Sequence, residues 1–242
     1  MRILMAAVWL GTALACAAQD AGLVERQQAA NEKANAAEKA GDMAGAERLF
    51  LQAVEISRQL SAEQAVARDD ALSALWNFYS RQGRQADADR VLQERTAAVD
   101  RLSPARAGLV WFDVESNYAA RREIDKARAA ADRAGAIYRD CIRQGGAEAK
   151  TCDRRLADVQ GIMGSALFNA KQDEAAEPWF KAVVDRPDDA VRPEIMLISL
   201  RAYAKLLYER GEVQEGAKVA VRSLRFEEQH PGVGGGLQRK QE

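Results

Sequence analysis

Ala36-Ala37-Glu38-Lys39-Ala40-Gly41-Asp42-Met43-Ala44-Gly45-Ala46 reads as an alanine-rich helix, a glycine, a turn and the start of a second helix. The second pattern continues to Phe50 and Ala53, placing small and aromatic residues on one helical face. The same order returns along the chain. Leu72, Leu75 and Tyr79 precede Gly83, with Ala88 and Leu92 after it. Trp111, Val114 and Tyr118 are followed by Ile124, Ala127, Ala131 and Ala134. Val159, Ile162 and Ala166 lead to Ala175, Trp179, Ala182 and Pro187. Leu200, Tyr203, Ala204 and Leu207 lead to Gly211, Val213, Gly216 and Ala220. These copies start about 42, 39, 48 and 41 residues apart. A period of that size predicts helix pairs, each burying its apolar face only by stacking on its neighbours.

Composition agrees with helices throughout. Of 242 residues, 48 are alanine and only 5 proline. Alanine is the best helix former because its methyl loses no rotamer freedom on folding. Hydrophobic residues make up 48% of the chain, enough for a packed core, and 242 residues make one domain the default. The 35 basic and 36 acidic residues balance to a formal charge of −1, against the basic excess that nucleic-acid binding requires. The single histidine, His230, lies in the Gly-rich tail, which argues against a His base and against a metal site with two His ligands. No metalloprotease, dithiol, nucleophile-elbow or P-loop string is present. Paired carboxylates at Asp69-Asp70, Asp188-Asp189 and Glu227-Glu228 read as solvated charge at helix ends or connections. No catalytic residue, cofactor or metal is expected.

The repeats resemble tetratricopeptide repeats, with large, small and aromatic residues on the first helix, then glycine, then alanine and an aromatic on the second. Their length is greater than the usual period of about 34 residues. It is similar to the longer repeats of kinesin-light-chain type, as is Ala176-Glu177-Pro178-Trp179-Phe180-Lys181-Ala182. The resemblance covers about residues 24 to 226. It implies an all-α superhelix of about five antiparallel helix pairs. Copies three and four carry Arg122 and Ala170 at the turn glycine, and Arg95 and Ser223 replace the late alanine in copies two and five. Small residues at Ala46, Ala88, Ala127, Ala175 and Gly216 are expected to let paired helices approach. Phe50, Tyr79, Trp111, Tyr118 and Trp179 are expected to fill the gaps. Ser103-Pro104 reads as an N-cap and first helical residue, and Pro193 opens the last pair in the same way. Pro178, several residues into a helix, removes a backbone bond.

Residues 1–18 read as a secretory signal peptide. Arg2 is followed by apolar Ile3 to Leu10, and small residues continue to Ala18. The apolar stretch, about 15 residues, is short of the roughly 20 a spanning helix needs, and no later run is longer. Cleavage between Ala18 and Gln19 would leave residues 19–229 as the repeat domain and 230–242 as a flexible tail. Ala13-Leu14-Ala15-Cys16 also resembles a bacterial lipobox, with leucine two rather than three places before the cysteine. Two readings therefore stand: soluble export to the periplasm or beyond, or an outer-membrane lipoprotein anchored through Cys16. Membrane contact follows only from the second. Cys141 and Cys152 form an even pair that reads as a structural disulfide in an oxidising compartment, with unpaired thiols and a metal site as rivals.

What the resemblance implies for function is a non-enzymatic scaffold that binds a protein or peptide partner in the groove lined by the first helix of each pair. Carried over repeat by repeat, the inward positions are Asn31, Asn35, Ser73, Asn77 and Arg81, then Phe112, Leu167 and Phe168, then Arg201, Lys205 and Tyr208. Arg201 and Lys205 make a basic end suited to a carboxylate or an acidic segment. The rival readings are a lipoprotein that assists assembly of an envelope machine, and self-association through exposed terminal helices.

Overall fold

The computed structural model describes residues 2–233, with side chains from Gln19 onward. The side chains of the signal-like segment, Cys16 and Ala18 among them, and tail residues 234–242 lie outside the described residues. The described residues form ten α-helices and no strand. The chain divides after Leu102 into two compact units, a boundary that repeat spacing does not reveal.

The first unit holds two pairs, α1 (Arg2–Lys39) with α2 (Met43–Arg58) and α3 (Ala65–Arg81) with α4 (Gln85–Ala97). Its core is built on Ala34, Phe50, Ala53, Val54, Leu72, Leu75 and Phe78. The second unit holds three: α5 (Pro104–Ala120) with α6 (Ile124–Gln144), α7 (Ala149–Asn169) with α8 (Asp173–Val184), and α9 (Pro193–Glu209) with α10 (Val213–Gln229). Tyr138, Met163, Leu167, Phe180, Met196, Leu200 and Phe226 anchor its core.

All five pairs turn in the same way. One residue takes a left-handed conformation, at Gly41, Gly83, Arg122, Lys171 and Gly211, with φ between 60° and 84°. The next N–H then reaches back five residues to a first-helix carbonyl. These bonds are Asp42 to Ala37, Arg84 to Tyr79, Glu123 to Tyr118, Gln172 to Leu167 and Glu212 to Leu207, at 2.9–3.0 Å. That geometry is the Schellman termination, in which a left-handed residue lets the chain satisfy exposed carbonyls and reverse.

In copy four the turn residue is therefore Lys171, not Ala170. The small residue five places on is Ala176, fully buried, while Ala175 is only half-buried. With that shift of one, Ala46, Ala88, Ala127, Ala176 and Gly216 fall in register, and all five are buried. Among the expected gap fillers, Phe50 and Tyr79 are buried, and Trp111, Tyr118 and Trp179 are half-buried against the second core.

Because an L side chain in the left-handed region is strained by roughly 1 kcal/mol, Arg122→Gly and Lys171→Gly are each expected to stabilise the protein by about 0.5–1 kcal/mol. Urea unfolding of each variant checks this. A loss of stability would show that these side chains contribute more than the strain they impose.

Helix starts are capped less uniformly. Asp42 Oδ1 accepts from the Gly45 N–H at 2.9 Å, capping α2. Ser103 precedes Pro104 as expected, but its hydroxyl donates to Glu148 Oε1 at 2.7 Å instead of capping α5. Glu148, reaching from the α6–α7 loop, also accepts the Ala105 N–H at 3.3 Å. A carboxylate is the better partner there because the helix N-terminus is electropositive. Pro178 sits inside α8 on an exposed face.

Candidate interaction surfaces

Cys141 and Cys152 are bonded, with sulfurs 2.08 Å apart, and tie the end of α6 to the first turn of α7 across the loop holding Gly145 and Gly146. Both half-cystines are buried. His230 ends α10, stacked on Phe226 at 4.2 Å with Nδ1 against the Phe226 carbonyl, which is a packing role.

The residues expected to line the groove fall in both units. In the first, Asn35 is exposed and Asn31 half-buried. Asn77 is exposed, its Nδ2 donating to the Ser73 carbonyl at 2.9 Å. Arg81 forms a two-pronged ion pair with Glu38, at 2.9 and 2.7 Å, so its charge is already matched. In the second, Phe112 and Phe168 are half-buried and Tyr208 is exposed. Phe168 packs edge-on to Phe180, and the Lys205 ammonium lies 5.4 Å from the Phe168 ring centre. Phe168 and Lys205, on α7 and α9, are thus brought together. Leu167 is not presented at all: it is fully buried, because its side chain points into the core one position from Phe168.

The basic end is also corrected. Arg201 pairs with Glu227 at 2.6 Å, and Lys205 lies 3.7 Å from Glu209. The charge at this end is largely matched within the chain. Of the acidic pairs, Asp188 and Glu227 do sit on the surface, paired with Arg222 and Arg201. Asp69 does not. It lies inside α3, 4% exposed, with Arg95 Nε 2.8 Å from its Oδ1.

Three groups that repeat spacing does not single out are buried in the second unit. Glu115 on α5 is completely buried, and neither carboxylate oxygen has a hydrogen-bond partner among the described residues. Burial pushes its carboxyl well above the usual carboxylate range, and the nearby Asp158 charge adds to this. The Tyr138 hydroxyl is buried without a partner among the described residues, and burial raises its pKa as well. Asp158 on α7 is buried too, but Arg192 Nε approaches it at 2.8 Å and Arg155 Nη1 at 3.3 Å. The available signal was register: Glu115 stands seven residues before its turn residue, where copies one, four and five have Ala34, Gly164 and Ala204.

Glu115 has a measurable consequence. An acid whose folded pKa is raised favours folding fully only below its unfolded pKa, near 4.3. Above that pH the unfolded chain ionises and the folded one does not, so this contribution falls by about 1.4 kcal/mol per pH unit until the folded pKa is passed. Glu115→Gln, neutral at every pH, is expected to gain on the parent between pH 5 and pH 8 and to match it near pH 4. Urea unfolding at three pH values reads this, and a constant difference would rule it out.

A cleft of about 490 Å³ opens where α7 begins, lined by Ala147, Lys150, Thr151, Arg154, Arg155, Asp158 and Arg192. Four of these seven side chains are cationic. No described helix is long and apolar enough to cross a membrane.

No protein-family model and no curated protein matches the chain. Solved structures do. BtubC (BKLC) from P. vanneervenii aligns over 90% of this chain and 93% of its own at 14% identity, with a TM-score of 0.68. A structure of a Podosopora anserina putative kinesin light chain with nearly identical TPR-like repeats aligns over 86% and 97% at 18% identity, with a TM-score of 0.62. A further structure of that protein gives 0.58 at 18% identity. At such identities the likeness establishes the fold, which is all-α and TPR-like.

Proposed function

We propose, from a TPR-like fold of the kind found in kinesin-light-chain-type repeat proteins, that this chain is a non-catalytic scaffold holding a partner protein or peptide. The observation that carries the reading is a division of labour, seen in the first, second and fifth pairs. The second helices commit buried small residues, Ala46, Ala88, Ala127, Ala176 and Gly216, to packing. The first helices keep Asn35, Asn77 and Tyr208 exposed. Such a surface acts by complementary shape and charge, with no bond made or broken. The signal-like segment supports a role in the bacterial envelope, and the disulfide suits an oxidising compartment.

The test is photocrosslinking in the native cells from Asn77 and Tyr208, one in each unit, with Arg90 on α4 and Arg225 on α10 as controls. One partner captured from both first-helix positions and from neither control is the expected result. Equal capture at all four, or none, would remove the scaffold reading. The intact mass of the same protein reads export: a chain starting at Gln19 is expected, whereas an acylated Cys16 would assign it to the outer membrane.

A further inference from the structure

We infer that the cleft at the start of α7 is a docking site for an acidic, Asp/Glu-rich segment of a partner protein. This deepens the scaffold reading and rests on it. Asp158 lies at the cleft with its side chain wholly buried, holding Arg155 and Arg192 from α7 and the start of α9. The two arginines remain 36% and 42% exposed, so each keeps guanidinium N–H groups for a ligand. Lys150 and Arg154, one turn apart on α7, are exposed and make no ion pair among the described residues. Four cations thus face one carboxylate, in a chain whose overall charge is −1.

The neighbouring acids do not cancel this excess. Asp153 is paired with Arg186 and Asp188 with Arg222, whereas Glu148, which accepts from the Ser103 hydroxyl and the Ala105 N–H, keeps its charge but lies outside the lining, so four cations still outnumber Asp158 and Glu148 together. The Cys141–Cys152 bond fixes the first turn of α7, so this wall of the cleft is preformed. Preformed cations lose little freedom on binding, and arginine grips carboxylates in two-pronged pairs. Apart from Ala147 the lining is polar or charged, with no aromatic side chain, which favours an extended chain carrying several carboxylates over an apolar ligand.

Fluorescence anisotropy of labelled hexaglutamate with the full chain, disulfide intact, tests this, with hexaglutamine as control. Hexaglutamate is expected to bind and hexaglutamine not. Raising salt from about 50 to about 200 mM should weaken the complex, since exposed charges are screened. Lys150→Glu/Arg154→Glu should weaken it at least about tenfold. Lys218→Glu/Arg225→Glu on α10, equal in net charge change and outside the cleft lining, should leave it within about twofold. Equal loss in both variants, binding of hexaglutamine, or no binding would overturn the proposal. Displacement by pyrophosphate at concentrations below that of the peptide would also overturn it, identifying a small-oxyanion site. Hexaglutamate binding lost only in the cleft variant, with no partner crosslinked from Asn77 or Tyr208, would sink the scaffold and leave the cleft standing. Partner capture unaffected by the cleft variant, with no peptide binding, would do the reverse.

Discussion

Arg95→Ala is expected to destabilise the first unit by about 3–5 kcal/mol, among the largest effects of any single change in it. Arg95 stands twelve residues after its turn residue, where the other copies have Ala53, Ala134, Val183 and Ser223. It is the largest fully buried side chain among the described residues, with its Nε 2.8 Å from Asp69 Oδ1 and its guanidinium 5.7 Å from the Trp76 ring centre. Truncation takes this guanidinium from a buried carboxylate and leaves a hole of side-chain size, two costs that add. The pair is not thereby a net source of stability, because burying both charges carries a desolvation penalty. Asp69→Leu/Arg95→Met, which keeps the volume and removes both charges, is therefore expected to lie within about 2 kcal/mol of the parent. Urea unfolding, with hydrogen exchange resolved to α3 and α4, measures both variants. A loss below about 1 kcal/mol for Arg95→Ala would mean that Asp69 is served equally well without it.

That position shows where reading from sequence stops. Repeat spacing identifies Arg95 as a replacement for alanine, but a period has no term for what a long cation does inside a core. Its partner is obscured for the same reason: Asp69-Asp70 looks like surface charge, and only the helix register separates a buried Asp69 from its exposed neighbour. The turns at Gly41, Gly83 and Gly211 are legible because glycine marks the left-handed conformation. Lys171 adopts the same conformation with a side chain, so nothing marks it, and spacing alone places the register of copy four one residue early. The disulfide is legible because an even pair of cysteines across a glycine-containing loop leaves few alternatives. The charged cleft is not. Its cations come from α7 and from the residue before Pro193, which are distant in sequence and meet only when helix pairs stack. Arg201 looks basic for the complementary reason, since Glu227 lies on a different helix, whereas Glu209, the acid near Lys205, stands four residues on in the same helix.

Close helix approach supplies the second large effect. A Cβ at Gly108 on α5 would lie 2.3 Å from Cε1 and 2.4 Å from Cζ of Tyr138 on α6. No contact that short is sustained, and Tyr138 has no exposed side to move towards. Gly108→Ala must therefore displace a packed ring or spread α5 from α6, and should cost about 3 kcal/mol, although alanine alone would favour the helix by about 1 kcal/mol. Gly216→Ala, where the nearest atoms are 3.2–3.3 Å away on Tyr208 and the Ala204 carbonyl, is a milder overlap and should cost less. If the ring is the obstacle, shortening it must help. Tyr138→Leu alone opens a cavity and removes a hydroxyl that is buried without a partner, so its own cost is the balance of those two. In the Gly108→Ala background the same change also relieves the overlap, so the double variant should be more stable than the two single losses predict, by about 1–3 kcal/mol of coupling. A double-mutant cycle in urea measures that term. Additive losses would mean that the helices, and not the ring, absorb the added methyl, and would locate the tolerance of the second unit in its backbone.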